Sequence, residues 1–419
     1  MRPERMSVGL CLRGIVAWSL ACVAFGGSPP AEGDSVSPRL VEAGPLRFSE
    51  QLILGDYGYA YGIAAADLDG DGDPDLTSSD TTKNNFYWFE NDGAGGLTRR
   101  LIYDKDPGWF ERHAVGDVDL DGDPDIVVVK NSAHDVLWFE NSATPKKDRV
   151  WRRHVIARGN LPYAYDVTLG DLDGDGDLDV AGSTYQRGNL FAWMENPGYP
   201  VDRGVWRMHT IEAEIGGTRT IVSVDLNRDG RMDLLGSARV AGLTLWYENT
   251  GKDRGRWRRH VIDDTLLSPT HGHPVDLDKD GDLDVVMAFG HTEKSQERSH
   301  QVAWYENLGS PGRAGKWRRH FLTQLYFGFE AIGGDLDGDG DVDVVATAWG
   351  AESGRIVWIE NSGDPRGEWK KHTLKAPWSK ANQVILVDLD QDGRLDIAAT
   401  AERGANEFRW WRNAGPVAP

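Results

Sequence analysis

Asp335-Leu336-Asp337-Gly338-Asp339-Gly340-Asp341-Val342-Asp343 is the stretch that decides the fold. Carboxylates at its positions one, three, five and nine can converge on one cation only if the chain curls tightly, and the glycine at position six permits that turn. The same D-x-[DN]-x-D-G-x-x-D pattern starts at Asp67, Asp117, Asp171, Asp225, Asp276, Asp335 and Asp388, with gaps of 50, 54, 54, 51, 59 and 53 residues. Seven copies at such spacing mark a repeat architecture that occupies most of the 419-residue chain.

Two further patterns interlock with the first. Little more than twenty residues after each Asp pattern begins comes a tryptophan motif: Trp88-Phe89-Glu90-Asn91, then its counterparts at Trp138, Trp193, Trp246, Trp304 and Trp358, with a degenerate Trp410-Trp411-Arg412-Asn413. Ahead of the Asp pattern runs W-x-x-H-x-I, clearest at Trp151-Arg152-Arg153-His154-Val155-Ile156 and repeated at Trp206, Trp257, Trp317 and Trp369, with weaker versions at Phe48 and Leu97. Between these landmarks lie apolar or alternating runs of four to seven residues, such as Val285-Val286-Met287-Ala288, separated by turn residues. These are strand signals.

Each period therefore holds four short strands, and four-stranded units repeated around a ring predict an all-β, seven-bladed propeller. The first strand after the N-terminal region, Phe48 to Ile53, matches a fourth strand, whereas the chain stops after a third strand near Trp411. The N-terminal strand is thus expected to complete the last blade, which leaves no open sheet edge. Trp and His of W-x-x-H-x-I recur from blade to blade and read as packing rather than chemistry, and the Glu-Asn pair reads as a turn device.

The formal charge of -20, from 66 acidic and 46 basic residues, argues against nucleic acid and for cations. The Asp loops predict about seven calcium ions, since calcium takes six to eight hard oxygen ligands on flexible loops. The expected ligands are Asp67, Asp69, Asp71 and Asp75 in the first loop; Asp117, Asp119, Asp121 and Asp125 in the second; Asp171, Asp173, Asp175 and Asp179 in the third. Asp225, Asn227, Asp229 and Asp233 serve the fourth, and Asp276, Asp278, Asp280 and Asp284 the fifth. Asp335, Asp337, Asp339 and Asp343 complete the sixth, and Asp388, Asp390, Asp392 and Asp396 the seventh. Position seven is expected to coordinate through its carbonyl, so Arg231 and Arg394 are tolerated there. Seven divalent ions would bring the formal charge from -20 to -6, which couples metal binding to stability.

Residues 1–26 read as an export signal: Arg2, Arg5 and Arg13 precede or flank an apolar run from Gly14 to Phe25, with small residues around a cleavage point. The expected location is secreted or periplasmic, with lipoprotein anchoring through Cys22 as the alternative. Both cysteines, Cys11 and Cys22, fall in this segment, so no disulfide is expected after cleavage. Residues 27–45, rich in Pro, Gly, Ser and Glu, read as a flexible tether, and residues 46–414 as the propeller. No segment after the signal is long and apolar enough to span a membrane.

The Asp patterns resemble the FG-GAP or VCBS repeats of integrin α-subunit propellers and of many secreted bacterial proteins, over about residues 46 to 414. That resemblance implies a seven-bladed propeller with calcium in the hairpin between the first two strands of each blade. The W-x-x-H-x-I and W-x-E-N signatures are more loosely similar to the propeller of fungal aldos-2-ulose dehydratases.

Residues shared by every blade serve the blade, so a site is sought where blades differ. Five residues ahead of the Asp pattern stand Gly62, Arg112, Asp166, Thr220, His271, Glu330 and Gln383; six ahead, Tyr61, Glu111, Tyr165, Arg219, Thr270, Phe329 and Asn382. Eight ahead are Tyr59, Trp109, Tyr163, Phe327 and Lys380, with His113, His273 and Trp378 close by. These residues are expected at the mouth of the central channel, opposite the aspartate hairpins, bordered by the loops between second and third strands. Aromatic faces beside Arg, Asp, Glu, His and Gln suit a carbohydrate or sugar-derived ligand, whose C–H faces stack and whose hydroxyls need donors and acceptors. The plainer alternative is a hydrated channel. If the mouth is catalytic, the expected chemistry is that of a sugar lyase or dehydratase: Arg112 neutralises a carboxylate or enolate, and His271 or Tyr165 moves a proton. A third reading is a protein-binding adhesion scaffold.

Overall fold

The computed structural model describes residues 38–417 except 56, 149, 186, 203, 252–256, 292–296 and 310–313. Seven antiparallel sheets form the predicted blades, and no α-helix occurs among the described residues. Blade 1 spans Ala60–Tyr103, blade 2 Phe110–Ala157, blade 3 Ala164–Ala213, blade 4 Thr218–Asp263, blade 5 Pro269–Gln324 and blade 6 Gly328–Lys375. Blade 7 takes three strands from residues 381–416 and is completed by Leu46–Leu54. Inner strands of successive blades touch all the way round, and the last touches the first.

The second strand of every blade is buried along its whole length, as in Asp125–Lys130 and Asp343–Ala348. Blades stack face to face, so both sides of this strand are covered, and in blades 2 and 5 the sequence runs apolar instead of alternating, as Ile126–Val129 and Val285–Phe289 do. Outer strands see solvent on one side; Arg152–Ala157 passes from exposed at its start to buried at its end.

The repeated tryptophan and histidine form a blade unit, as expected. In blade 5 the Trp304 and His320 rings stack at 4.4 Å, and His320 Nε2 meets Glu306 Oε2 at 2.7 Å. Blades 2, 3, 4 and 6 repeat the arrangement with His154, His209, His260 and His372. The Glu-Asn pair does more than turn the chain. Its Glu ties the third strand to the fourth through that histidine, while its Asn amide N–H donates to the ninth-position aspartate, as Asn249 does to Asp233 Oδ1 at 2.8 Å. The Asn side chain then donates to a carbonyl of the preceding blade, Leu172 O at 2.8 Å in this case.

Closure follows the predicted route. Leu46–Leu54 pairs antiparallel with Glu407–Pro416, with Glu50 opposite Trp411. The expected tether of residues 27–45 is corrected at its end: Arg39–Ala43 is a fifth strand that turns back at Gly44 (φ +67°) and pairs with Leu46–Leu54. Burial explains it, because Ala43 joins the apolar cluster around Trp358 and Leu46, and Trp358 Nε1 donates to Ala43 O at 3.0 Å. The expected export signal, Cys11, Cys22 and residues 27–37 lie outside the described residues.

Candidate functional site

Every inner strand carries a β-bulge at the two positions that differ most between blades. In blade 1, Ala60 pairs with Asp80 and Ile63 with Ser78, so Tyr61 and Gly62 together face one residue of the partner strand. The same step occurs in the other six blades. A bulge interrupts the two-residue alternation and re-aims side chains, which lets both positions serve the channel. Just beyond it, an amide after the second strand donates to a carbonyl before the first: Tyr185 N to Tyr163 O at 2.7 Å, Trp349 N to Phe327 O at 2.8 Å and Glu402 N to Lys380 O at 3.1 Å. These bonds hold the loops at the mouth.

Two layers result. In the deeper one, Arg112 and Glu330 form a buried two-point ion pair, at 3.1 and 2.7 Å, and His273 Nε2 meets the same carboxylate at 2.9 Å. Beside them Tyr61 Oη and Tyr165 Oη stand 2.5 Å apart, Tyr165 Oη lies 2.9 Å from His271 Nε2, and His271 Nδ1 lies 2.9 Å from Thr220 Oγ1. Asp166 accepts the Ile221 and Val167 amides.

Above this floor opens a cavity of about 110 Å³, bordered by Tyr59, Tyr61, Tyr165, Glu111, Arg219 and Phe329 from the expected set. That volume is well above the ~10–15 Å³ needed to admit a first water. Tyr59 stacks on Tyr61 at 5.5 Å, and Phe329 meets Tyr61 edge-on at 6.5 Å. Arg219 lies 4.6 Å from the Tyr165 ring centroid and 4.2 Å from that of Tyr185.

Burial sets the protonation of this site. Burial first, and then the charge of Glu402, push the Glu111 carboxyl well above the usual carboxylate range. Desolvation likewise raises the Tyr61 hydroxyl well above its ordinary value, and raises Tyr165 to about 12. The same cause, followed by the Arg112 and Arg219 charges, holds His271 well below the usual imidazole value, favouring a neutral ring.

Several expected residues lie elsewhere. Trp378 is buried in the core of blade 7, where its Nε1 donates to Glu407 Oε2 at 2.7 Å and its ring meets Trp411, so it is no ligand contact. Gln383 is spent on the backbone of Ile63, accepting its N–H at 3.0 Å and donating to its carbonyl at 3.1 Å, which joins blade 7 to blade 1. His113 is buried against Thr77 Oγ1 at 2.6 Å and Phe86. Tyr163 packs on His134, whose Nδ1 accepts its amide N–H at 2.8 Å. Trp109 is half exposed beside Tyr59, and Lys380 Nζ sits 4.4 Å above the Trp349 ring. The proposed catalytic trio is also revised. Glu330 already neutralises Arg112, and His271, 1% exposed, does not border the cavity but sits behind Tyr165 and Phe329.

Residues that the mouth adds are Tyr185, His291, Trp349, Glu402 and Arg403. Their signal was present: fourteen residues after each first Asp stand Thr81, Asn131, Tyr185, Arg239, Gly290, Trp349 and Glu402, another unrepeated set.

The aspartate hairpins lie at the other end of the inner strands. All seven sixth-position glycines have positive φ, from +85° at Gly230 to +99° at Gly122, the turn that the motif requires. First-position carboxylates accept loop amides, as Asp67 does from Gly70, Asp71 and Gly72. Ninth-position carboxylates accept two amides each; Asp75 takes those of Leu68 and Asn91. Groups such as Asp67-Asp69-Asp71 and Asp171-Asp173-Asp179 bring carboxylate oxygens within 4.8 Å of one another, close enough to hold a metal ion. Arg231 and Arg394 donate through Nε to the Asn249 and Asn413 carbonyls and pair through Nη2 with the fifth-position carboxylates of Asp229 and Asp392.

The family described as FG-GAP-like repeat matches residues 67–128, 117–182, 171–236, 225–287, 276–346 and 335–399. No curated protein matches the chain. Among solved structures, BBS1N from its complex with ARL6DN aligns at 11% identity over 90% of this chain and 98% of that one, with a TM-score of 0.53. A gluconolactonase from Xanthomonas campestris aligns at 10% identity over 93% and 98%, with a TM-score of 0.42. Likeness at this identity concerns the fold alone.

Proposed function

This chain belongs to the FG-GAP-like repeat family, and on that footing we propose that it is a secreted propeller, stabilised by about seven calcium ions, that binds a carbohydrate or sugar-derived ligand at its channel mouth. The observation that carries the ligand reading is the cavity itself: Tyr59, Tyr61, Tyr185 and Trp349 supply rings around Glu111, Arg219 and Glu402. Rings stack on sugar C–H faces, and charged or hydroxyl groups pair with sugar hydroxyls.

Calcium fits the aspartate loops by donor chemistry, since the convergent groups are carboxylate oxygens on tightly curled loops without sulfur or imidazole. Aspartates at positions one, three, five and nine would hold it, and the ion would supply the positive charge that offsets their mutual repulsion. Secretion rests on the character of residues 1–26 and on a repeat family typical of extracellular proteins.

One observation favours catalysis at the same cavity. The Tyr61, Tyr165 and His271 chain links a cavity hydroxyl to a buried neutral imidazole, a path by which a proton can leave a sugar carbon in an elimination. Screening the calcium-loaded protein against neutral and acidic glycans, with binding and ultraviolet absorbance of unsaturated products recorded together, tests both readings. Binding that Trp349→Ala and Tyr185→Ala abolish supports the ligand site, and absorbance lost in Tyr165→Phe supports the lyase. No binding by any glycan overturns both.

A further inference from the structure

Cations gather at the mouth of an acidic protein. Arg219 and Arg403 line the cavity with Glu111 and Glu402, Lys380 sits over the lining Trp349 ring and Arg239 lies near Arg219, although the whole chain carries a formal charge of -20. Arg403 pairs with Glu402, whereas Arg219 and Arg239 have no carboxylate ion pair among the described residues. Arg219 is 2% exposed, and its Nε and Nη2 make no hydrogen bond; Arg239 Nε is likewise buried and unpaired. Arg239 lies near enough for the Arg219 charge, after burial, to lower its guanidinium from the usual value.

Other buried cations of this fold are answered. Arg112 has Glu330, and Lys130 has Asp106 at 2.5 Å. A buried guanidinium with free donors beside a second guanidinium is costly unless an anion completes it. Planar guanidinium donors match a carboxylate in two-point fashion. Glu111, which lines the same cavity and is driven toward its neutral form by burial, can donate to a hydroxyl.

We propose that the ligand is an acidic sugar, a hexuronate unit whose carboxylate is bound by Arg219 and Arg239 while its ring lies among the mouth aromatics. This rests on the carbohydrate reading and sharpens it to a substrate class. Both arginines come from blade 4, Arg219 from the bulge of the inner strand and Arg239 from the turn just after the second, so one blade supplies the anion site.

The test is calorimetric titration of the calcium-loaded full chain, freed of excess calcium, with short oligogalacturonates and oligomannuronates and with their carboxyl-reduced neutral counterparts. At least one uronate is expected to bind roughly tenfold or more tightly than its neutral counterpart, as charge-assisted hydrogen bonds imply. Arg239→Gln and Arg219→Gln are each expected to remove that preference, with Arg239→Gln the more conservative for folding because the residue is only partly buried. Equal binding of acidic and neutral forms, or a preference intact in both folded variants, overturns the anion site and leaves the carbohydrate reading standing. No binding of either kind by folded, calcium-loaded protein overturns both.

Discussion

The Asn91 side chain donates to the carbonyl of Leu389 at 2.7 Å, across 298 residues of sequence, and so latches blade 1 to the aspartate loop of blade 7. Asn141, Asn196, Asn249 and Asn413 make the same bond to Leu68, Val118, Leu172 and Leu336. The ring therefore closes with the device that joins consecutive blades.

Asn91→Ala removes this bond and a part-buried one to Pro74 O, leaving the buried Leu389 carbonyl without this donor. A loss of about 1–3 kcal/mol is expected. Urea unfolding of Asn91→Ala and Asn196→Ala should show similar losses; an unaltered midpoint for Asn91→Ala would mean that the closure bond contributes nothing.

Removal of residues 38–54 opens blade 7 and takes away Glu50, which pairs with Lys375 at 2.7 Å and Arg409 at 2.9 Å. It also exposes a ten-residue edge strand, Glu407–Pro416, that rewards aggregation. Such a truncation should fail to give a cooperative thermal transition. A melting temperature equal to that of the intact chain would refute closure by the N-terminal strand.

Calcium removal should lower the melting temperature steeply. A site held at a hundredfold its dissociation constant contributes about 2.7 kcal/mol, so several sites together correspond to roughly 10–25 °C in a domain of this size. Scanning calorimetry with and without chelator measures it, and a shift restored equally by magnesium would count against a calcium-selective set.

Acid should destabilise the ring through its buried histidines. Burial first, then the Arg112 charge, holds His113 at about 3, against about 6.5 in an unfolded chain. The unfolded state thus takes up the proton first, so this stability is complete above pH ~6.5 and declines as pH falls toward 3. By pH ~4.5 the loss is roughly 2–3 kcal/mol. His113→Gln, which keeps a polar partner for Thr77, should flatten that part of the pH profile relative to wild type; superimposable slopes would contradict it.

The blades, their number and their closure were legible because seven copies of one pattern fix the period, and the chain ends supply complementary strands. The bulges were not legible, since counting two residues against one requires knowing the partner strand. Without them, adjacent positions such as Glu111 and Arg112 read as equals, whereas one borders the cavity and the other is locked to Glu330 beneath it. Trp378 misled because an unrepeated aromatic near the mouth can equally be core, and in blade 7 it packs on Trp411. Tyr185, Trp349 and Glu402 lie just after second strands, a segment that varies between blades as freely as the inner strand but carries no motif that marks it as facing the channel.

Division of the molecule into a metal-holding face and a ligand-binding face is tested most directly by hydrogen–deuterium exchange of the calcium-loaded protein with and without the oligosaccharide identified by titration. Added protection should fall at residues 57–63, 109–112, 183–185, 347–351 and 400–404, with the aspartate loops unchanged. Protection confined to the loops at 67–75 and their six counterparts, or none at the mouth, would contradict the account.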